Sequence, residues 1–349
     1  MHGITIEEAG FDYSLLETYY GYFIDNEKLK KSASGGAVSA ISEAIIRQGG
    51  LVFGVSYSDD FKRAEYRCVD NLEDLEMLKG SKYCETSKEI TVNNEALSIY
   101  TVLEEKLRDN RLVLFVGLGC DIGGIKSYCE TKKIDIHKLF TIELLCYGST
   151  TSVVHQQYIE GLEKKFRSRI KAFTVRYKKE GWTPPYINAE FENGIVYDIP
   201  FYESDYGFAF SRFSKTCCYK CRFRGADHKA DVTCGDYWGL TKSMTGWNDN
   251  GVSIMFVKTS KGKELIEMID KSSFHLDQAD TSFALQYNHS YFACKPKDKR
   301  ADQFDRALKE KGLHYAVKHF AMSPKAKIKS VLPKTMIIAL KTLIQNKKS

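Results

Sequence analysis

Four of the ten cysteines fall within residues 215–240, KTCCYKCRFRGADHKADVTCGDYWGL, and the pair Cys218-x-x-Cys221 constrains the chain more than any other feature. A C-x-x-C turn sets two thiolates on one side of a tight loop, where both can grip one metal centre. Zinc and iron–sulfur clusters ordinarily take four protein ligands, so the pair is half a site. The rest of the chain has to fold so as to bring the other half to it. The stretch closes on Gly235-Asp236-Tyr237-Trp238-Gly239, a loop dense in glycine and aromatic side chains.

Two apolar segments offer the missing ligands. RLVLFVG (111–117) reads as a buried strand running into Leu118-Gly119-Cys120-Asp121, and LFTIELLC (139–146) as a second, running into Cys146-Tyr147-Gly148-Ser149 before a helix over 151–165. Open α/β sheets place their ligand sites just beyond the C-terminal ends of such strands. A single cysteine there is as readily a buried structural thiol; two strands ending alike offer a second pair of thiolates. The local alternative is structural zinc held by Cys218, Cys221, Cys234 and His228, which leaves Cys120 and Cys146 without a role.

Elsewhere the pattern predicts a mixed α/β protein. Tyr19, Tyr20 and Tyr22 suggest a short edge strand. Ser32-Ala33-Ser34-Gly35-Gly36 leads into a helix carrying Val38, Ile41 and Ile45 on one face and stopped by Gly49-Gly50. Such a loop is either an ordinary capped entry or a cradle whose backbone N–H groups suit a phosphate. LVFGVSY (51–57) and AEYRCV (64–69) read as strands and 71–79 as a short helix. In the turn that follows, Gly80-Ser81-Lys82-Tyr83, the lysine is either solvated or within reach of an anion. From 170 to 199 the apolar residues alternate along three segments, predicting an antiparallel β layer after the α/β half. VSIMFVK (252–258) reads as another strand, 262–270 as a helix and 304–320 as an amphipathic helical region.

Charge separates the tail from the body. The formal charge is +6, yet residues 323–349 carry seven lysines and no acid, so residues 1–322 sum to −1. A neutral body argues against a nucleic-acid-binding face. The tail places Met336, Ile337, Leu340, Leu343 and Ile344 on one helical face, a basic amphipathic pattern suited to an anionic membrane surface or to docking on the body. The first residues have neither the basic start nor the apolar run of a signal peptide, and no run of about 18 apolar residues is present. A cytoplasmic protein with thiols rather than disulfides is the expectation.

SASGGAVSAI, GGLVFGVSY, LKGSKY, the strand into G-x-x-C, CYGS, YKKEGW, CCYKC and ADVTCGDYWG stand in the order found in the coenzyme F-420 hydrogenase/dehydrogenase beta-subunit family. The resemblance runs from about residue 20 to about residue 320 and includes bacterial relatives associated with surface-polysaccharide genes. It implies an FAD-binding α/β body with an antiparallel layer and a 4Fe–4S cluster. Such a protein is an oxidoreductase passing electrons between cluster, flavin and a hydride-carrying small-molecule substrate. Carried over by position, the cluster ligands are Cys120, Cys146, Cys218 and Cys221. Ser32, Ser34, Gly35, Gly36, Ser81, Lys82 and Tyr83 fall at the flavin. Many relatives read G-T-P-C-Q where this chain has Gly117-Leu118-Gly119-Cys120-Asp121, and C-H-G where it has Cys146-Tyr147-Gly148; Cys217 and Cys234 are additional thiols that could exchange with a ligand. No ferredoxin module precedes the match, so a separate electron donor such as a ferredoxin is implied. The expected organisation is 1–100 with the flavin-side loops, 101–322 with the cysteine cluster, and 323–349 as the tail.

Overall fold

A computed structural model describes residues 12–92, 95–324 and 326–327. The chain begins with β1 (Glu17–Phe23), α1 (Asn26–Lys31), α2 (Ala37–Arg47), β2 (Leu51–Tyr57), β3 (Ala64–Val69) and α3 (Leu72–Leu78). It continues through β4 (Thr86–Ser87), β5 (Glu89–Val92), β6 (Glu95–Ser98), α4 (Ile99–Arg108), β7 (Val113–Leu118), α5 (Gly119–Thr131), β8 (Leu139–Leu144) and α6 (Ser152–Phe166). Then come β9 (Ile170–Tyr177), β10 (Tyr186–Phe191), β11 (Val196–Pro200), α7 (Asp205–Arg212), β12 (Val232–Asp236), β13 (Ser253–Val257), α8 (Ser260–Glu267) and β14 (Phe274–Gln278). Helices α9 (Thr281–Tyr287), α10 (Ala301–Lys311) and α11 (Leu313–Ala316) follow.

Among the described residues, nine strands form one sheet in the order β14-β1-β13-β12-β8-β7-β2-β3-β4. Its centre, β12, β8, β7 and β2, is parallel. Helices therefore cover both faces, and the strands read as unbroken apolar runs. In β7, Leu114 and Val116 pack into one core with α2 and α8, while Val113 and Phe115 face the other with α4 and α5. Each such side chain contributes roughly 1.5–3 kcal/mol by leaving water. β1 is paired on both sides, to β13 and β14, so the tyrosine-rich segment is an interior strand rather than an edge. Tyr19 packs against the core of Leu114 and Val116, while its neighbour Tyr20 is buried on the opposite face among Tyr237, Ile254 and Phe256, which is why the segment carries an aromatic on each face.

The antiparallel layer is present as the separate sheet β11-β10-β9. With α6, α7, α10 and α11 it encloses a second core around Phe173, Ile187, Phe191, Phe201, Tyr206 and Phe304. Sequence periodicity missed the hairpin β5–β6, whose four-residue strands are too short to signal. The region 304–320 divides into α10, α11 and a terminal π turn, Val317–Ala321, broken at Gly312 with its φ of 83°. Strands from either side of residue 100 interleave in the large sheet. Of the tail, residues 328–349 lie outside the described residues.

Candidate functional site

Because β7, β8 and β12 run parallel and adjacent, their C-terminal ends share one edge of the sheet. Cys120 lies in the first turn of α5, just past β7, and Cys146 two residues past β8. The loop with Cys218 and Cys221 folds back over both. Phe223 packs against α5, where a side chain at Gly119 or Gly123 would collide with it at 2.9 and 2.3 Å. Lys215 N–H donates to Ser149 O at 3.1 Å, and a Cβ at Gly148 would stand 3.4 Å from that of Cys218. Gly148 has a φ of 101° and donates its N–H to the Cys146 sulfur at 3.2 Å, a placement open to glycine.

The four thiols are near enough to act on one another electrostatically. Cys146 and Cys221 both bear on Cys120, and Cys218 and Cys221 on Cys146. Burial pushes Cys120 up to about 12, with neighbouring Asp121 adding to it, although the residue as a whole is exposed. Burial likewise pushes Cys146 up to about 11 and raises Cys218. All four are free thiols, and a metal centre bound among them would take them as thiolates, releasing their protons. Around them stand Lys88, Lys215, Arg224 and Lys295. Lys88 pairs with Asp121 and Lys215 with Glu85, while Arg224 donates to Cys146 O at 2.5 Å and to Ser290 O. Lys295 is buried, donates to Phe210 O at 2.7 Å, and is pushed down to about 8, chiefly by burial.

Two further thiols adjoin the four. Cys217 is exposed beside Cys218, and Cys294 Sγ lies 3.4 Å from Cys221 O. The zinc alternative does not form. Cys234 is buried on β12 in the main core, and the His228 ring is spoken for on both nitrogens: Nδ1 meets Glu143 Oε1 at 2.8 Å and Nε2 donates to Tyr291 O at 2.7 Å. Among the described residues no three His, Cys, Asp or Glu side chains are gathered tightly enough to grip a single metal ion.

The loop assigned to the flavin is built differently from the expectation. Ser32 Oγ closes α1 on Lys28 O, and Ser34 Oγ donates to Val252 O at 2.6 Å. The Gly35 and Ala37 N–H groups donate to Ser253 Oγ at 2.9 and 3.3 Å, and Gly36 N–H to Ala33 O. A Cβ on Gly35 would lie 2.1 Å from Gly21 O. Its glycine thus serves packing on β1 and β13, and its donors are used within the protein rather than offered to a phosphate. Lys82 is half-buried, with its ammonium on the carbonyls of Met77, Leu78, Lys79 and Gly80, closing the C-terminus of α3; desolvation there pushes it down to about 7. Tyr83 stacks on Phe210 at 4.4 Å. Ser81 is half-buried.

Sequence reading passed over the polar side chains that tie these loops together. Asp121 is buried, accepts from Tyr66 Oη at 3.0 Å and from Leu118 N at 3.1 Å, and so fixes the turn carrying Cys120. Arg176, at the end of β9, donates to Asp236 at 2.6 Å and to the Tyr83 hydroxyl at 3.2 Å. Burial opposes its charge, but Asp236 and Tyr83 together outweigh that and hold the guanidinium above its ordinary value. Only a positive charge at a strand end signalled it.

Two family models match the chain: coenzyme F420 hydrogenase/dehydrogenase beta subunit, N-terminal part, over residues 18–92, and its C-terminal part over residues 110–282. Among solved structures, a chain of the F420-reducing [NiFe] hydrogenase complex from Methanosarcina barkeri, in a xenon derivative, aligns with a TM-score of 0.50 at 17% identity, covering 87% of this chain and 90% of that one. Comparison with curated proteins finds no match.

Proposed function

The chain belongs to the coenzyme F420 hydrogenase/dehydrogenase beta-subunit family, and within it we propose an oxidoreductase subunit whose Cys120, Cys146, Cys218 and Cys221 hold a 4Fe–4S cluster. The observation that carries the proposal is the meeting of two strand-end thiols with a C-x-x-C loop under a basic lining. A cubane with four thiolates carries net negative charge; Arg224 and Lys295 offset it, while the charges of Lys88 and Lys215 are shared with Asp121 and Glu85. The Gly148 N–H on Cys146 is the kind of donor that tunes a cluster's potential. Once bound, such a cluster supplies one-electron transfer. The residues around it do the rest: Arg224 and Asp121 fix the two strand-end loops, and Lys295 supplies a charge at the buried side. A hydride carrier gives up two electrons together and the cluster takes them singly, so a flavin, as the family resemblance implies, would stand between the two; a separate protein, ferredoxin-like or a subunit of a larger assembly, is the other redox partner. A place in surface-polysaccharide synthesis rests on the resemblance alone.

Iron and acid-labile sulfide analysis of protein purified without oxygen tests the assignment. Replacing any of Cys120, Cys146, Cys218 or Cys221 with Ala should remove most of the iron, because a cubane left with three thiolates is labile. Cys68→Ala and Cys129→Ala should keep it. Full iron in Cys120→Ala would falsify the four-ligand set and turn attention to Cys217 and Cys294.

A further inference from the structure

The end of α6 and the tip of the β10–β11 hairpin form one surface on the second core, built from elements that carry none of the cysteines. Three hydrogen bonds tie them together. Glu192 N–H donates to Arg169 O at 3.0 Å, Asn193 N–H to Ser168 Oγ at 3.1 Å and Asn193 Nδ2 to Phe166 O at 3.2 Å. The Phe166 ring packs on Phe191 and Tyr197 with centroids 4.8 and 5.3 Å away, so the α6–β9 loop and the hairpin tip are held side by side.

The loop is basic. Lys164, Lys165, Arg167 and Arg169 are all exposed, and none is in an ion pair among the described residues. The nearest acids are largely engaged: Glu163 with Lys62 at 3.2 Å, Glu190 with Lys171 at 3.5 Å. That leaves Glu160, which accepts from Gln156, and Glu192 in the turn against four cations. Lys164 and Lys165 lie in the last turn of α6, whose dipole calls for about half a positive charge. Arg167 and Arg169 lie beyond the helix, so its end does not account for them.

The tip is aliphatic where turns are ordinarily polar. Ile195 is 40% and Val196 59% exposed, next to Asn193 and Gly194. β11 is the edge of its sheet, and Val196 stands opposite Glu190, so the ladder gives it no apolar partner.

Whatever covers this surface has to take in aliphatic side chains and carry negative charge. The tail, 323–349, has apolar side chains but seven lysines and no acid, the same sign as the loop. A second copy in a two-fold contact would set cation on cation. Nucleic acid has the sign, yet it would leave Ile195 and Val196 in water and finds no exposed ring at the tip to stack on. An anionic lipid surface meets both demands, because aliphatic side chains enter the acyl boundary while basic side chains lie along it with their heads at the phosphates.

We propose that the α6–β9 loop and the β10–β11 tip are a docking surface for an anionic lipid membrane, with Lys164, Lys165, Arg167 and Arg169 at the headgroups and Ile195 and Val196 inserted beneath them. The proposal stands independently of the redox reading.

Co-sedimentation of the full chain is measured with vesicles of phosphatidylcholine containing about 30% phosphatidylglycerol and with phosphatidylcholine alone. Binding to the mixed vesicles should be about tenfold tighter or more and should weaken as salt is raised. Arg167→Gln and Arg169→Gln should each weaken it about fivefold. The double variant Ile195→Ser/Val196→Ser should weaken it about tenfold. All four side chains are exposed, so thermal melting should be unchanged. Weaker binding by the glutamine variants but native binding by the serine variant means ionic adsorption of a kind that any polyanion shares, and overturns the lipid assignment. Native binding by every variant puts the membrane contact in the tail or elsewhere and overturns it too, as does a failure of the native chain to bind the mixed vesicles.

Discussion

At the scale of single residues, the same amino acid serves opposite ends depending on what its backbone touches. Gly35 has the flanks of a phosphate cradle, but its missing side chain is demanded by Gly21 O and the Ser253 N–H, 2.1 and 2.5 Å from where a Cβ would be. Gly35→Val should therefore fail as a folding variant, not as a cofactor variant. Overpacking against side chains costs about 1–3 kcal/mol, and backbone yields less readily than side chains. The expected outcome is a lower thermal midpoint or insoluble protein with or without any ligand added; an unchanged midpoint would mean that β1 and β13 can separate there. Cys234 makes the matching contrast. It is a thiol in a cysteine-rich stretch of sequence, yet burial pushes it up to about 12 and it packs among Val232, Met255 and Val257. Cys234→Ala should lose a little stability and no iron, readable by melting and iron analysis on one sample.

Among elements, the distinction between legible and hidden follows the range of the interaction. Strands β7, β8 and the antiparallel trio announced themselves because apolar periodicity is local, and the strand-end position of Cys120 and Cys146 followed from it. What stayed hidden were the polar ties between elements. Arg176 to Asp236 spans 60 residues, Glu143 to His228 spans 85, and Lys178 to Ser34 spans 144. No spacing rule links such residues. The presence of β1 was legible but not its double pairing, since an interior antiparallel strand and a half-covered edge carry similar alternation. The Arg176–Asp236 pair is the tie to test. Both side chains are nearly buried, at 12% and 13% exposure, so removing either leaves the other as an uncompensated charge. Arg176→Ala and Asp236→Ala should each cost about 3–5 kcal/mol in urea unfolding, and the double variant clearly less than their sum. Additive losses would mean that the two residues do not interact.

On the scale of the whole molecule, the large sheet and the second core have to stay joined, and one histidine at their junction gives that joint a pH dependence. His155, on α6, is fully buried. Its ring stacks on Tyr57 of the large sheet at 5.0 Å and contacts Phe173 and Tyr206 of the second core. Nε2 donates to Phe61 O at 2.7 Å, and Nδ1 has no partner among the described residues. A proton on Nδ1 would put charge and an unmet donor into an apolar joint, so burial pushes the group down to about 4 from its ordinary 6.5. The sign follows directly. Between pH 6.5 and 4 the unfolded chain binds this proton and the folded chain does not, so stability falls as the pH falls through that window and levels off below it. The depression corresponds to about 3 kcal/mol at full extent. His155→Gln removes the titration while keeping a donor for Phe61 O. Measured by urea unfolding at a series of pH values, the native chain should lose about 3 kcal/mol more than the His155→Gln chain between pH 7 and 4. Parallel curves for the two would show that the junction tolerates the charge and that acid sensitivity arises elsewhere.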